Sequence, residues 1–252
     1  MHYPNIFQTS ILVLLLIITH WLLKRIIPPL DQENLRELLM SVIKVIILTG
    51  GLYILSKQEK INKKNFTIKP LNSSLLFISI AMGVLIVFNP LIVSISLFSQ
   101  DQVNNIVTSI ADKPVDVFVF LNLVVFIPIF EELLFRGLIL SGLKNSYNII
   151  IALIISSVIF GLFHVDILGA FIFGLWLGWI YLKTNNILLC VLVHSACNAI
   201  SFIFRAFMND FSASGLFVRI GENFIIISLL MFGASIGLLL MGYKKIKITH
   251  NN

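Results

Sequence analysis

Charge is scarce in this chain. Only 12% of its 252 residues are Asp, Glu, Lys or Arg, about half the share of a soluble domain. The AVILMFWYC set makes up 58%, and the mean hydropathy is +0.99. So few polar side chains cannot cover a globule in water, which excludes an ordinary soluble enzyme. The same composition excludes a disordered tail and a basic nucleic-acid-binding module. Cysteine is scarce as well. Cys190 and Cys197 are the two present, and seven residues along one helix set them about 10 Å apart, beyond the reach of a disulfide. No internal repeat, low-complexity tract or second, soluble domain stands out. The opening segment MHYPNIFQTSILVLLLIITHWLL lacks a basic start and a small-residue cleavage site, and Lys24-Arg25 follow it. It reads as a retained first span, not a signal peptide.

What is present is a series of continuous apolar runs about 20 residues long, the length of a membrane-spanning helix, where a barrel strand would alternate over about 10. The expected fold is all-α: one integral membrane domain over residues 1–252, a bundle of about eight transmembrane helices, with the lipid bilayer as its surroundings. The spans are Ile6–Leu23, Leu38–Leu55, Leu71–Phe98, Val115–Leu140, Ile149–His164, Ile167–Leu182, Ile187–Phe207 and Phe224–Gly242. Pro90 and Pro128 are expected to kink the third and fourth. With the N-terminus inside, eleven Lys and Arg residues fall in cytoplasmic loops and six on the other side. This split favours a multi-pass protein of the cell membrane with both termini in the cytoplasm. Lys57, Lys60, Lys63, Lys64 and Lys69 carry most of that signal.

Several polar residues interrupt these runs. The fourth span holds Glu131, Glu132 and Arg136, each costing roughly 2.5–3.5 kcal/mol at bilayer depth on insertion scales. Glu132 and Arg136 have the i,i+4 spacing of a pair on one helix face, and Glu131 points about 100° away. Phe160 and His164 stand four apart at the end of the fifth span, and His194 and Asn198 stand four apart on one face of the seventh. A buried ion pair and helix–helix hydrogen bonds account for any one of these groups alone. Together, a carboxylate, two imidazoles and an amide are the parts needed to activate water and stabilise an oxyanion, and the same groups suit zinc. In this topology Glu131 and His194 fall in the inner halves of their spans, whereas His164, at the end of an outward-running helix, falls elsewhere unless that helix is sunk. Lys44, inside the second span, is expected to snorkel or pair with a carboxylate. His20 and Trp21 read as interface anchors. Asp166 is placed either to orient His164 or to face water, and Gly169, Gly174 and Gly178 suggest close helix packing.

Glu131-Glu132-x-x-x-Arg136, Phe160-x-x-x-His164 and His194-x-x-x-Asn198, in this order on separate spans, resemble the three motifs of the CPBP family. That family comprises the type II CAAX prenyl proteases and bacterial proteins linked to bacteriocin processing and self-immunity. The resemblance covers about 70 residues from Glu131 to Asn198, within a motif-bearing core of residues 115–207. It implies an intramembrane endopeptidase with its site in a cavity between helices, acting on a peptide precursor or a membrane-associated protein tail. Glu131 would polarise the attacking water, shared with His164. Glu132 would support it, held by Arg136, and His194 with Asn198 would stabilise the oxyanion. If a metal is present, one zinc ion would sit on Glu131, His164 and His194. No HExxH occurs, an amide serves better as an oxyanion donor than as a zinc ligand, and the metal-free glutamate mechanism is the preferred expectation. The high Ile, Asn and Lys content suggests an AT-rich bacterial genome, where prenylated substrates are not expected. The alternative is a non-catalytic bacteriocin-immunity or scaffold protein that keeps the motifs as a polar network.

Overall fold

The computed structural model describes residues 3–97, 115–164 and 166–211. The expected eighth span, Phe224–Gly242, lies outside them. Among the described residues the long elements are all helices: α1 (Ile6–Ile26), α2 (Glu33–Lys57), α3 (Ser73–Leu97), α4 (Val117–Ser146), α5 (Ile149–Leu162), α6 (Ile167–Thr184) and α7 (Ile187–Phe211). α1, α2, α4 and α6 are long and apolar enough to cross a membrane. The protein is therefore an all-α, multi-pass membrane protein.

Local chemistry sets the helix ends. Asn5 and Gln8 cap α1 reciprocally: the Asn5 side chain accepts from the Gln8 N–H at 2.9 Å, and the Gln8 side chain accepts from the Asn5 N–H at 3.0 Å. Asn148 caps α5 through Ile150 N–H, and Asp166 caps α6 through Gly169 N–H. Asn185, in the left-handed region at φ 47°, closes α6. Arg36 is buried within α2 and donates to the Lys24 and Ile27 carbonyls at 2.6 and 2.9 Å, tying down the open end of α1.

The chain divides into two compact units. The first takes in residues up to Lys69 and Val117–Ser195; the second takes in the stretch beginning at Pro70, with α3, and the chain from Ala196 onward. In the second, the Cys197 thiol lies 3.9 Å from the Ile80 carbonyl of α3. In the first, α5 and α6 pack as a helical hairpin, and α2 lies along the stretch of α4 from Val117 to Glu132.

α4 is continuous through Pro128 and does not break there. Wide, π-type turns over Asn122–Phe126 and Leu133–Leu140 interrupt its α-helical winding. The carbonyl that Pro128 would serve as donor in a regular helix is that of Val124, inside the first wide turn, so the turn accommodates the lost hydrogen bond. α3 likewise runs through Pro90. α4 extends to Ser146, six residues beyond the expected Leu140, which puts Glu131 at mid-helix and not in the inner half. From Ser146 back to Glu131, and from Ile149 forward to Leu162, the chain climbs about 20 Å in each case. His164, just past α5, therefore reaches the level of Glu131.

One end of the first unit gathers the segments expected on a single membrane side. Tyr3 N–H donates to the Lys60 carbonyl at 3.4 Å, and Ile6 N–H donates to the Tyr147 hydroxyl. The Tyr181 hydroxyl donates to the Asn65 carbonyl at 2.8 Å, and the Lys69 ammonium donates to the Thr184 carbonyl at 2.6 Å. Cysteines introduced at the exposed positions Asn62, Asn145 and Lys183 should therefore react with an impermeant maleimide from one side only. With the basic bias cytoplasmic, that labelling should occur in inverted vesicles. Reaction of the three from opposite sides would contradict the map.

Candidate active site

The site grows from a carboxylate with no exposure to solvent. Glu132 is 0% exposed and Arg136, one turn along α4, 1%. Their side chains meet at 2.8 Å (Nη1 to Oε1). A second guanidinium nitrogen donates to the Gly174 carbonyl of α6 at 3.2 Å, and the guanidinium lies 4.7 Å from the centre of the Phe160 ring. Gly174 permits this approach: a Cβ there would lie 3.3 Å from Phe160 Cδ1 and from Ser157 Cα. The same Glu132 oxygen accepts from His194 Nδ1 at 2.8 Å. One carboxylate oxygen thus joins α4 to α7, and the arginine it holds joins them to α6.

These contacts fix the imidazoles. His194 Nδ1 faces a carboxylate paired with a guanidinium, so it carries the proton and donates. His164 Nδ1 lies 2.8 Å from the Phe160 carbonyl, which can only accept, so it too carries a proton. Packing holds both rings: Phe160 lies 4.5 Å from His164, and Phe173 meets His194 edge-on at 5.3 Å. The free Nε2 atoms converge on Glu131. His194 Nε2 is 3.8 Å and His164 Nε2 3.9 Å from Glu131 Oε2, and that oxygen is buried without a hydrogen-bond partner. A water between these atoms has two hydrogens, enough for Glu131 Oε2 and His164 Nε2, and it lies within reach of His194 Nε2 as well.

The donor set is also chemically that of a zinc site, and each imidazole makes the kind of outer hydrogen bond that ligating histidines make. The spacing is less suitable. Zinc bonds of 2.0–2.1 Å place tetrahedral ligand atoms about 3.4 Å apart, closer than 3.8–3.9 Å. Among the described residues no group of three His, Cys, Asp or Glu has metal-binding geometry. As arranged, the trio fits water better than zinc.

Of the residues expected from the sequence, Glu131, Glu132, Arg136, His164 and His194 come together. Asn198 follows His194 by one turn of α7 and belongs to the second unit. Asp166 does not orient His164; its side chain caps α6, and the Phe160 carbonyl takes the imidazole instead. The Gly174 carbonyl and the Phe173 ring were not singled out as site components. The small-residue run of α6 was their signal, read as packing alone.

Residues 113–200 match the family model of the type II CAAX prenyl endopeptidase Rce1-like proteins. The UPF0177 protein YxdF of Lactococcus lactis subsp. lactis (strain IL1403) is 36% identical over 78 residues, covering 29% of this chain and 42% of that protein. The chain thus spans less than half the length of this curated relative. No solved structure matches.

Removing Arg136 leaves Glu132 buried with His194 alone. Arg136→Ala should destabilise the protein by about 3–5 kcal/mol, seen as a lower thermal midpoint and a lower yield of purified protein. Glu131→Gln, which replaces an unpaired oxygen at constant volume, should leave both near wild type.

Proposed function

We propose that this protein is an intramembrane endopeptidase of the CPBP type in which Glu131 activates the attacking water, a reading supported by the similarity of residues 113–200 to the type II CAAX prenyl endopeptidase Rce1-like proteins. One observation carries the reading: Glu131 Oε2 faces two imidazole nitrogens at 3.8 and 3.9 Å, with a position between the three atoms that a water can fill. Glu131 takes a proton from this water as the oxygen attacks the peptide carbonyl. His164, its other nitrogen bonded to the Phe160 carbonyl, accepts from the same water and orients it.

His194 has a second task. Its Nδ1 proton is committed to Glu132, so it donates to a developing oxyanion only when Nε2 is protonated too. Asn198, as an amide on the same helix, is the proposed second oxyanion donor. The proton held by Glu131 then passes to the leaving amine, and the carboxylate is restored. The substrate is a peptide precursor or a membrane-associated protein tail.

A scaffold reading draws on the Glu132–Arg136–His194 network, which joins three helices whether or not chemistry follows. Glu131 separates the two readings, since its Oε2 faces the network without a hydrogen bond to it. Purified protein should cleave membrane-associated candidate peptides, and Glu131→Gln should abolish cleavage while the protein still folds. Asn198→Ala should retain activity reduced by about 10²–10³. Full biological function in Glu131→Gln would establish a scaffold. Phenanthroline should leave cleavage unchanged; loss of cleavage that zinc restores would establish a metal enzyme.

A further inference from the structure

Lys44 is left over once the site is built. It is the twelfth of the 25 residues of α2, so either end of the helix lies about 16–20 Å away along the axis, too far for its side chain to reach the membrane surface. It is half-buried, and among the described residues it makes no hydrogen bond or ion pair. Glu37, on the same helix, is held by Lys24 at 3.6 Å. The other carboxylate within its electrostatic reach is Glu131, which faces the two imidazoles. Among the described residues, therefore, the expected pairing with a protein carboxylate is not made.

A second unsatisfied group lies on the helix that α2 packs against. Asn122 stands in the first wide turn of α4, within the stretch lying along α2, and its Oδ1 is buried with no hydrogen-bond partner. An ammonium without an acceptor and an amide oxygen without a donor among the described residues complement one kind of molecule: an anion with a neighbouring N–H. Lipid headgroups sit at the membrane surface and do not reach the middle of a spanning helix. A peptide carboxylate beside its own backbone N–H supplies both groups.

We propose that Lys44 and Asn122 form a carboxylate-binding subsite where α2 packs along α4, in which the Lys44 ammonium takes a peptide carboxylate and Asn122 Oδ1 accepts the adjacent peptide N–H. The carboxylate is a chain terminus or an acidic side chain. Naming the bound peptide as substrate rests on the protease reading; the binding itself does not.

The test uses full-length protein in nanodiscs and three membrane-partitioning probes: N-dodecanoyl-Ala-Leu as free acid, the same dipeptide as C-terminal amide, and N-dodecanoyl-Ala-Glu amide. Dissociation constants come from isothermal titration, with Glu131→Gln as a parallel background that does not cut. At least one carboxylate probe should bind about ten- to hundredfold tighter than the neutral amide, as expected for a hydrogen bond to a charged group, and the one that does identifies the source of the carboxylate. Lys44→Met should abolish the preference, and Lys44→Arg should keep it. Asn122→Ala should weaken acid and amide probes alike. Equal binding of all three probes to wild type, or a preference that survives Lys44→Met, would overturn the subsite. Failure of every peptide to be cleaved leaves these binding differences standing, so the two readings fail separately.

Discussion

The Glu132 carboxylate accepts both Arg136 and His194 through one oxygen at 2.8 Å, fully out of contact with solvent, and the geometry around it follows from that constraint. An ion pair at this depth is stable only when its remaining hydrogen-bonding groups find partners. Arg136 meets the requirement with the Gly174 carbonyl and the Phe160 ring, and these choices place α6 and α5. Phe160 in turn offers its carbonyl to His164. A chain of contacts thus runs from one carboxylate oxygen to both imidazoles, and it leaves open the Nε2 atoms that face Glu131 and the buried second oxygen of Glu132.

Two adjacent acidic residues therefore serve opposite purposes because successive residues on a helix point in different directions. Glu132 turns into the helix junction and is neutralised there. Glu131 turns toward the imidazoles and keeps an oxygen without a partner. Among the described residues few side chains leave a buried polar atom unbonded, and such atoms mark places where a ligand, a water or a reacting group belongs. The wide turns of α4 contribute as well. They let Pro128 sit within a continuous helix, and they bring the Arg136 carbonyl within 2.8 Å of the Ser141 hydroxyl, which also touches Tyr181. α4 is thereby tied to the end of the unit where the loops gather.

Much of this was legible in the sequence because membranes make polar residues conspicuous. The Glu132–Arg136 pair followed from i,i+4 spacing, and the seven spans that fall on described residues correspond to helices within a few residues at most ends. Interactions that depend on the backbone were not legible. No side-chain pattern announces that the Gly174 carbonyl will complete Arg136, or that the Phe160 carbonyl, and not Asp166, will hold His164. Helix length misled in the same way: α4 was expected to end at Leu140, where its apolar run stops, but it continues through polar residues to Ser146. That extension places Glu131 and His164 at a common depth. Lys44 was expected to snorkel or pair; it lies at the centre of α2, and among the described residues it makes no ion pair although Glu131 is within its electrostatic reach.

The central claim is that Glu131, His164 and His194 hold a single water in position to attack a peptide. Crystallographic density from purified protein, with anomalous data collected across the zinc edge, tests it most directly. The account predicts one water-sized peak within hydrogen-bonding distance of Glu131 Oε2 and both Nε2 atoms, with no anomalous signal. An anomalous peak at that point, or imidazoles turned away from Glu131, would contradict it.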